Sequence, residues 1–257
     1  MTMPMTMTIP ETLRIGADPE LFVFKGAMPV SAHDLLPGTK TKPFPVMGGA
    51  VQVDGTAAEF NINPAASFEE FNENISQVLE KLQEMLPPDH YLKAQSYVEW
   101  PEEYFEKLPF TAKELGCMPD FDAWTGRRNP KPRLKQRPTL RTAAGHLHIG
   151  FTEGASLQDP EHIRNCQRMA QLMDWHVGAW STVIDPDSTR RLLYGKAGAC
   201  RYKSYGVEYR TLSNFWVLDP NLRYEVWNRT MAACADFFLQ TPITEEQHEQ
   251  IALIINQ

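Results

Sequence analysis

The chain has 257 residues, 42% of them hydrophobic, a formal net charge of -7 and a pI near 5.5. That length and composition describe a globular chain with room for a sizeable core, and the acidic balance speaks against a general binder of nucleic acid or anionic membrane. No apolar run reaches the roughly 18 residues that a membrane-spanning helix needs, and Cys117, Cys166, Cys200 and Cys234 lie too far apart for a zinc knuckle or a C-x-x-C redox pair, so they read as reduced, mostly buried thiols.

Residues 1–10 read as a flexible tail. Met and Thr alternate through Thr8 with neither a basic nor an apolar stretch of the secretory kind, which points to the cytoplasm. Residues 11–257 show no internal repeat and no linker, and are expected to form a single domain. A first strand from Leu13 to Phe24 carries Asp18 and Glu20 on either side of Pro19. Because proline cannot donate to a ladder, this strand is expected at a sheet edge or bulged there. A short strand and a Pro- and Gly-rich loop follow. Val51–Val53 and Ala57–Asn63 flank Asp54-Gly55, a hairpin turn in which Asp54 is read first as a turn residue and, as the alternative, as a side chain near the site. Ser67-Phe-Glu-Glu70 is a capping box opening a helix whose apolar positions Phe68, Phe71, Ile75, Val78, Leu79, Leu82 and Leu86 recur at helical spacing until Pro87-Pro88.

Tyr91 to Trp100 alternates loosely, as another strand would. The segment 117–142 is the most basic of the chain, with Arg127, Arg128, Lys131, Arg133, Lys135, Arg137 and Arg141 among four prolines and Gly126. It has two readings: a solvated loop, or a flap whose cations reach an anionic ligand. Asp159-Pro160 caps a helix running to about Ile184, in which His162 and His176 read as structural. Leu192–Gly198 and Tyr205–Leu212 are expected to pair antiparallel, joined by residues 198–205, where Arg201 and Lys203 are candidates for phosphate contact. Asp219-Pro220 opens another helix, and Thr244-Glu-Glu-Gln247 caps a last one.

One pattern recurs across four segments. Asp18 with Glu20, Glu59 with Asn61 and Asn63, His146 with His148, and Glu208 with Arg210 each alternate with apolar residues. Strand side chains alternate between faces, so these strands together make a sheet with one polar, carboxylate-rich face and one apolar face covered by helices, an α+β arrangement. Converging carboxylates repel unless cations lie among them, and oxygen ligands with one imidazole suit Mg²⁺ or Mn²⁺ better than zinc. His146 and His148 also admit a plainer reading as a hydrogen-bonded core pair.

The ordered set Gly16-Ala-Asp-Pro-Glu-Leu-Phe22, Asp54-Gly-Thr-Ala-Ala-Glu-Phe-Asn-Ile-Asn-Pro64, Gly145-His-Leu-His-Ile-Gly150 and Tyr205-Gly-Val-Glu-Tyr-Arg-Thr-Leu212 resembles the phage-encoded carboxylate-amine ligases of the glutamine synthetase and glutamate-cysteine ligase superfamily. The resemblance implies a curved, mainly antiparallel sheet like the glutamine synthetase catalytic domain, holding ATP and two or three Mg²⁺ or Mn²⁺ ions. It implies amide formation, peptide or isopeptide-like, through an acyl phosphate, with small-molecule or peptide carboxylate and amine substrates, in the host cytoplasm where a phage encodes the protein. Carried over by position, Glu20 and Glu59 resemble ligands of the metal nearer the acceptor. Asp18, His148 and Glu208 resemble those of the metal that grips the ATP phosphates. Arg210 resembles the arginine that stabilises the transferring phosphoryl group, and Arg201 a second cation; His146, Asn61 and Asn63 are additional candidates. Asp18-Pro19 departs from the usual pair of glutamates in the first strand. Two other functions stay open at the level of sequence: a metal-dependent hydrolase using the same His and Glu side chains without nucleotide, and a noncatalytic nucleic-acid binder acting through the basic segment. The substrates and the oligomeric state are not legible.

Overall fold

In the computed structural model, residues 9–113, 120–132, 134 and 136–257 are described. A ten-stranded sheet forms the frame, with a main path β3-β4-β5-β1-β10-β12-β11-β8, and β2 and β6 also paired to β1. The strands are β1 (Arg14–Lys25), β2 (Met28–Val30), β3 (Phe44–Val46), β4 (Gly49–Asp54), β5 (Ala57–Ile62), β6 (His90–Lys93), β8 (Phe121–Asp122), β10 (Gly145–Gly150), β11 (Ala199–Lys203) and β12 (Gly206–Tyr209). Their pairings are antiparallel. A separate two-stranded sheet joins β7 (Tyr97–Glu99) to β9 (Leu140–Thr142). The mixed α and β content and the open, mainly antiparallel sheet agree with the fold class expected from the sequence.

The helices that cover the apolar face have local causes. In α1 (Phe68–Met85) the Ser67 side chain accepts from the Glu70 amide, and Phe71, Ile75, Val78 and Leu82 are buried. The capping box is only half formed, because the Glu70 carboxylate accepts from the Ala66 amide instead of closing back on Ser67. Burying each of those four side chains is worth roughly 1.5–3 kcal/mol over leaving it in water. Asp159 and Asp219 cap α4 (Pro160–Met173) and α7 (Pro220–Phe238), each accepting from the amide two residues on, with proline in the first turn. α8 (Glu245–Ile255) has the complete Thr244–Gln247 capping box. α1 packs on β4 and β5, α4 on β11 and β12, and α7 spans α1 and α4. The path from Pro160 to Ile184 is helical throughout but not uniformly α: the π turn Asp174–Gly178 separates α4 from α5 (Ala179–Ile184).

One expectation is narrowed and one corrected. β1 is an interior strand, flanked by β5 and β10, so of the two placements expected for Pro19 the edge is excluded, and the irregularity lies in the pairing with β5, whose register slips by one residue between Ile15↔Ala65 and Glu20↔Glu59. Its ladder to β10 runs unbroken from Arg14↔Gly150 to Pro19↔Gly145, and the missing donor falls in a gap of the β5 ladder, between the bridge Ile15↔Ala65 and the pair Glu20↔Glu59. The residues expected to link two strands, 198–205, are themselves mostly strand β11. Leu192 and Leu193 end a short helix, α6 (Thr189–Leu193), instead. α6 is anchored by a buried side chain: Arg190 donates to the carbonyls of Arg210 and Thr211 at 3.0 and 2.8 Å. Cys166, Cys200 and Cys234 are buried free thiols, while Cys117 lies outside the described residues. Among the described residues no helix is long and apolar enough to cross a membrane.

Candidate active site

Strand register brings the polar side chains together. Asp18 and His146 are direct partners across β1 and β10, His148 and Glu208 across β10 and β12, Arg201 and Glu208 across β11 and β12, and Glu20 and Glu59 across β1 and β5. Two groups of side chains result, each with its ligand atoms within 4.8 Å of one another: Asp18, His148 and Glu208; and Glu20, Asp54 and Glu59.

The first group is rich in cations. Asp18 Oδ1 lies 3.0 Å from His148 Nε2 and 3.2 Å from His146 Nδ1. Burial alone would raise the Asp18 carboxyl, but the two imidazoles outweigh it and hold it well below the usual carboxylate range. Burial likewise works to lower His148, and Asp18 reverses the sign and raises it. His146 responds oppositely. Its burial and the Arg210 guanidinium push it down to about 4, so it stays neutral near pH 7. Glu208 is 1% exposed and pairs with Arg210, with Lys203 at 2.8 Å and with Arg201 at 3.6 Å. Burial and Asp18 act to raise it, yet Arg210 and the imidazoles bring it to about 2. Arg210 also donates to Asp120 at 3.3 Å and reaches His146 Nδ1 at 3.4 Å.

The second group is compensated less: Arg190 and Arg210 act on Glu20 but do not outweigh its burial. Burial and the nearby Asp54 raise Glu20 to about 7 although the Ala144 amide donates to it at 2.9 Å. Glu59 rises well above its usual value through burial and the charges of Glu20, Asp18 and Asp54. Lys40 pairs with Asp54 at 2.6 Å at the margin of the group.

Both groups suit divalent cations by the same observation. Asp18 Oδ1, His148 Nε2, Glu208 Oε2 and Glu59 Oε2 are buried atoms that make no well-oriented hydrogen bond; the first three have ion-pair contacts, Asp18 Oδ1 with His148 Nε2 at 3.0 Å and Glu208 Oε2 with Lys203 at 2.8 Å, while Glu59 Oε2 is in no ion pair among the described residues. Buried carboxylate oxygens and an imidazole held by such contacts alone, or by none, are what a hard cation would satisfy. A cleft of about 560 Å³, bordered by Asp18, Glu59, Asn61, His148, Tyr205 and Lys40, opens over the two groups. A smaller cavity of about 60 Å³ is bordered by Glu20, Asp54, Asp120, His146, Arg190 and Arg210.

Of the residues singled out by sequence, Asp18, Glu20, Glu59, His146, His148, Glu208, Arg210, Arg201 and Lys203 converge on this face, and Asn61 borders the cleft. Asn63 does not join them. It is exposed beyond the end of β5, where its amide donates to Gly48 and its carbonyl accepts from Asn74. Arg201 and Lys203, read as phosphate contacts, pair with Glu208 here. Of the basic segment, Arg137 pairs with Glu99 on the surface, Arg128 lies over the Phe121 ring, and Arg141 donates to the Pro138, Leu140 and Lys113 carbonyls. Residues 117–119, Arg133 and Lys135 of that segment lie outside the described residues. Sequence reasoning missed Gln52, Asp120, Arg190 and Tyr205, and it ranked a place near the site for Asp54 below a turn role, whereas Asp54 groups with Glu20 and Glu59. Gln52 and Asp54 continue the period-two alternation of β4, a usable signal, with Gln52 directly opposite Glu59. Asp120 and Arg190 carry none.

No protein-family model matches the chain, and no curated protein matches it. A crystal structure of a bifunctional glutathione synthetase from Pasteurella multocida is similar in fold, with a TM-score of 0.53 and 11% identity over 96% of this chain. The chain spans 40% of the length of that protein, so the likeness is one of fold.

Proposed function

We propose that the chain is an ATP- and Mg²⁺-dependent ligase that joins a carboxylate to an amine as an amide. The observation that carries the reading is the pair of three-residue groups on one sheet face, with buried ligand atoms in both that make no well-oriented hydrogen bond and Arg210 beside them. The fold likeness to a glutathione synthetase, an ATP-dependent amide-forming ligase, supports it.

Bound Mg²⁺·ATP would supply an activated phosphoryl group for the carboxylate, whose transfer calls for alignment and charge neutralisation and no protein nucleophile. Each chain residue then has a task. Asp18, His148 and Glu208 would hold the cation on the nucleotide phosphates, and Glu20, Glu59 and Asp54 the cation nearer the reacting carboxylate. Arg210, fixed by Asp120 and Glu208, presents a buried positive charge where negative charge develops. The larger cleft has the volume for a nucleotide and the smaller cavity suits the reacting end of a small acid.

Thermal melts of the purified protein with Mg²⁺, with ATP, with both, and with both in Glu208→Ala test the reading. A ligand that binds only the folded state raises the midpoint by mass action. The expected result is a joint Mg²⁺ and ATP shift that the substitution abolishes. Stabilisation by the metal with no effect of ATP over a wide concentration range would reject the ligase and leave a metal-dependent hydrolase to be assayed.

A further inference from the structure

Tyr205 sits in the turn between β11 and β12, and that turn is held firmly. Its carbonyl accepts from both the Phe151 and Thr152 amides, at 3.0 and 3.1 Å. Gly206, next in the chain, has φ +146, and a Cβ there would stand 2.1 Å from the Ile149 carbonyl oxygen, so only glycine lets the hairpin approach β10 this closely. The clamp brings Tyr205 Oη into a hydrogen bond with Nδ1 of His148, their rings tilted 39° with centroids 6.0 Å apart. The ring's other polar contact is at Nε2, which lies 3.0 Å from Asp18 Oδ1.

The far nitrogen of that ring is the informative one. Nε2 is buried, makes no well-oriented hydrogen bond and faces Asp18 Oδ1 at 3.0 Å, an oxygen that also lies 3.2 Å from His146 Nδ1. A neutral imidazole carries one proton, so a nitrogen that offers its lone pair to a cation requires the proton on the other nitrogen, with an acceptor there. Tyr205 Oη is the acceptor available to Nδ1–H.

We propose that Tyr205 is the positioning residue of His148: its hydroxyl oxygen accepts from Nδ1–H, fixes the ring's pitch, and leaves Nε2 as a lone pair aimed at a divalent cation shared with Asp18 and Glu208. The inference rests on the metal-dependent reading of this site. It assigns a task to a side chain outside the carboxylate groups.

The test uses protein labelled with ¹⁵N-histidine, the His148 signals being identified by their loss in His148→Gln. Long-range ¹H–¹⁵N spectra under saturating Mg²⁺ show which nitrogen carries the proton. The expected result is Nδ1–H with a bare Nε2 in the wild type. In Tyr205→Phe, which keeps the ring and removes the hydroxyl, the Mg²⁺ dissociation constant read from the Nε2 shift rises about 10-fold or more. In a His148→Gln background, Tyr205→Phe changes the Mg²⁺ response of the melting midpoint no further, as it must if the tyrosine acts through the imidazole. A proton on Nε2 of the wild type with Mg²⁺ present overturns the proposal even if no variant folds. So does an unchanged dissociation constant in Tyr205→Phe. None of these readouts uses ATP, so a protein that passes them yet ignores ATP would lose the ligase assignment and keep this one.

Discussion

Glu20 and Glu59 stand directly opposite each other across β1 and β5, two carboxylates that are both at most 9% exposed and share one face of the sheet. Like charges placed this way repel and lose hydration, and both effects favour the protonated form. Glu20 is raised from 4.5 to about 7, so between those values the folded chain binds more protons than the unfolded one. Without divalent cations, stability should therefore fall as pH rises from about 4.5 to about 7, by roughly 3 kcal/mol for Glu20 alone. Urea melts across that range check it, and Mg²⁺ should flatten the slope. Glu59→Gln should raise the metal-free midpoint at pH 8 and weaken the Mg²⁺ response. A metal-free slope of the opposite sign would show that the pair is compensated in some other way.

Glu208 has the reverse sign. With its carboxyl held at about 2 against 4.5 when unfolded, its contribution is complete above about 4.5 and is lost as pH falls towards 2. Glu208→Gln leaves Arg210 and Lys203 short of their shared anion, and should cost roughly 3 kcal/mol at pH 7. Chemical denaturation measures this, and a loss below about 1 kcal/mol would mean that the cations find other partners.

Arg210 contacts Asp120, Glu208 and His146 from one planar group. Lysine keeps the charge but cannot reproduce that fork. Arg210→Lys should lower the kcat of Mg²⁺-dependent ATP turnover by about 100-fold or more while moving the melting midpoint little. A large fall in midpoint with kcat preserved would make the arginine a structural residue.

Asp174, in the π turn behind β12, is fully buried and accepts from Trp124 Nε1 at 2.7 Å, the Gly198 amide at 2.5 Å, Tyr209 Oη at 2.7 Å and Thr211 Oγ1 at 3.3 Å. Burial lifts it to about 7 despite these donors. Its sign matches Glu20: stability present below about 3.8 is lost as pH climbs to about 7. Asp174→Asn turns an amide N–H₂ towards one pair of donors, so it should destabilise by roughly 2 kcal/mol at pH 5. The deficit should shrink at pH 8, where the native carboxylate carries its full desolvation cost. Melts of both proteins at the two pH values decide this.

The parts of the structure that the sequence determined are those governed by near neighbours in the chain. Asp159, Asp219 and Thr244 begin helices because a side-chain oxygen meets an amide two or three residues on. The 68–85 helix follows from its own apolar spacing, and the face on which Asp18, Glu59, His148 or Glu208 lies follows from alternation along one strand. Tertiary structure decided what meets what. Pro19 is tolerated in an interior strand because its ladder to β5 is interrupted there, and Asp54 joins Glu20 and Glu59 because its hairpin lies beside β1. Arg190 ties the short 189–193 helix to β12's end by donating to carbonyls about 20 residues away. The Asp18, His148 and Glu208 group depends on three strands taking one register, and ligand atoms without a well-oriented hydrogen bond arise only when burial removes their water. Periodicity is a property of a segment, whereas register and burial are properties of segments distant in the chain, so the face could be read from the chain and the geometry of the site only from the fold.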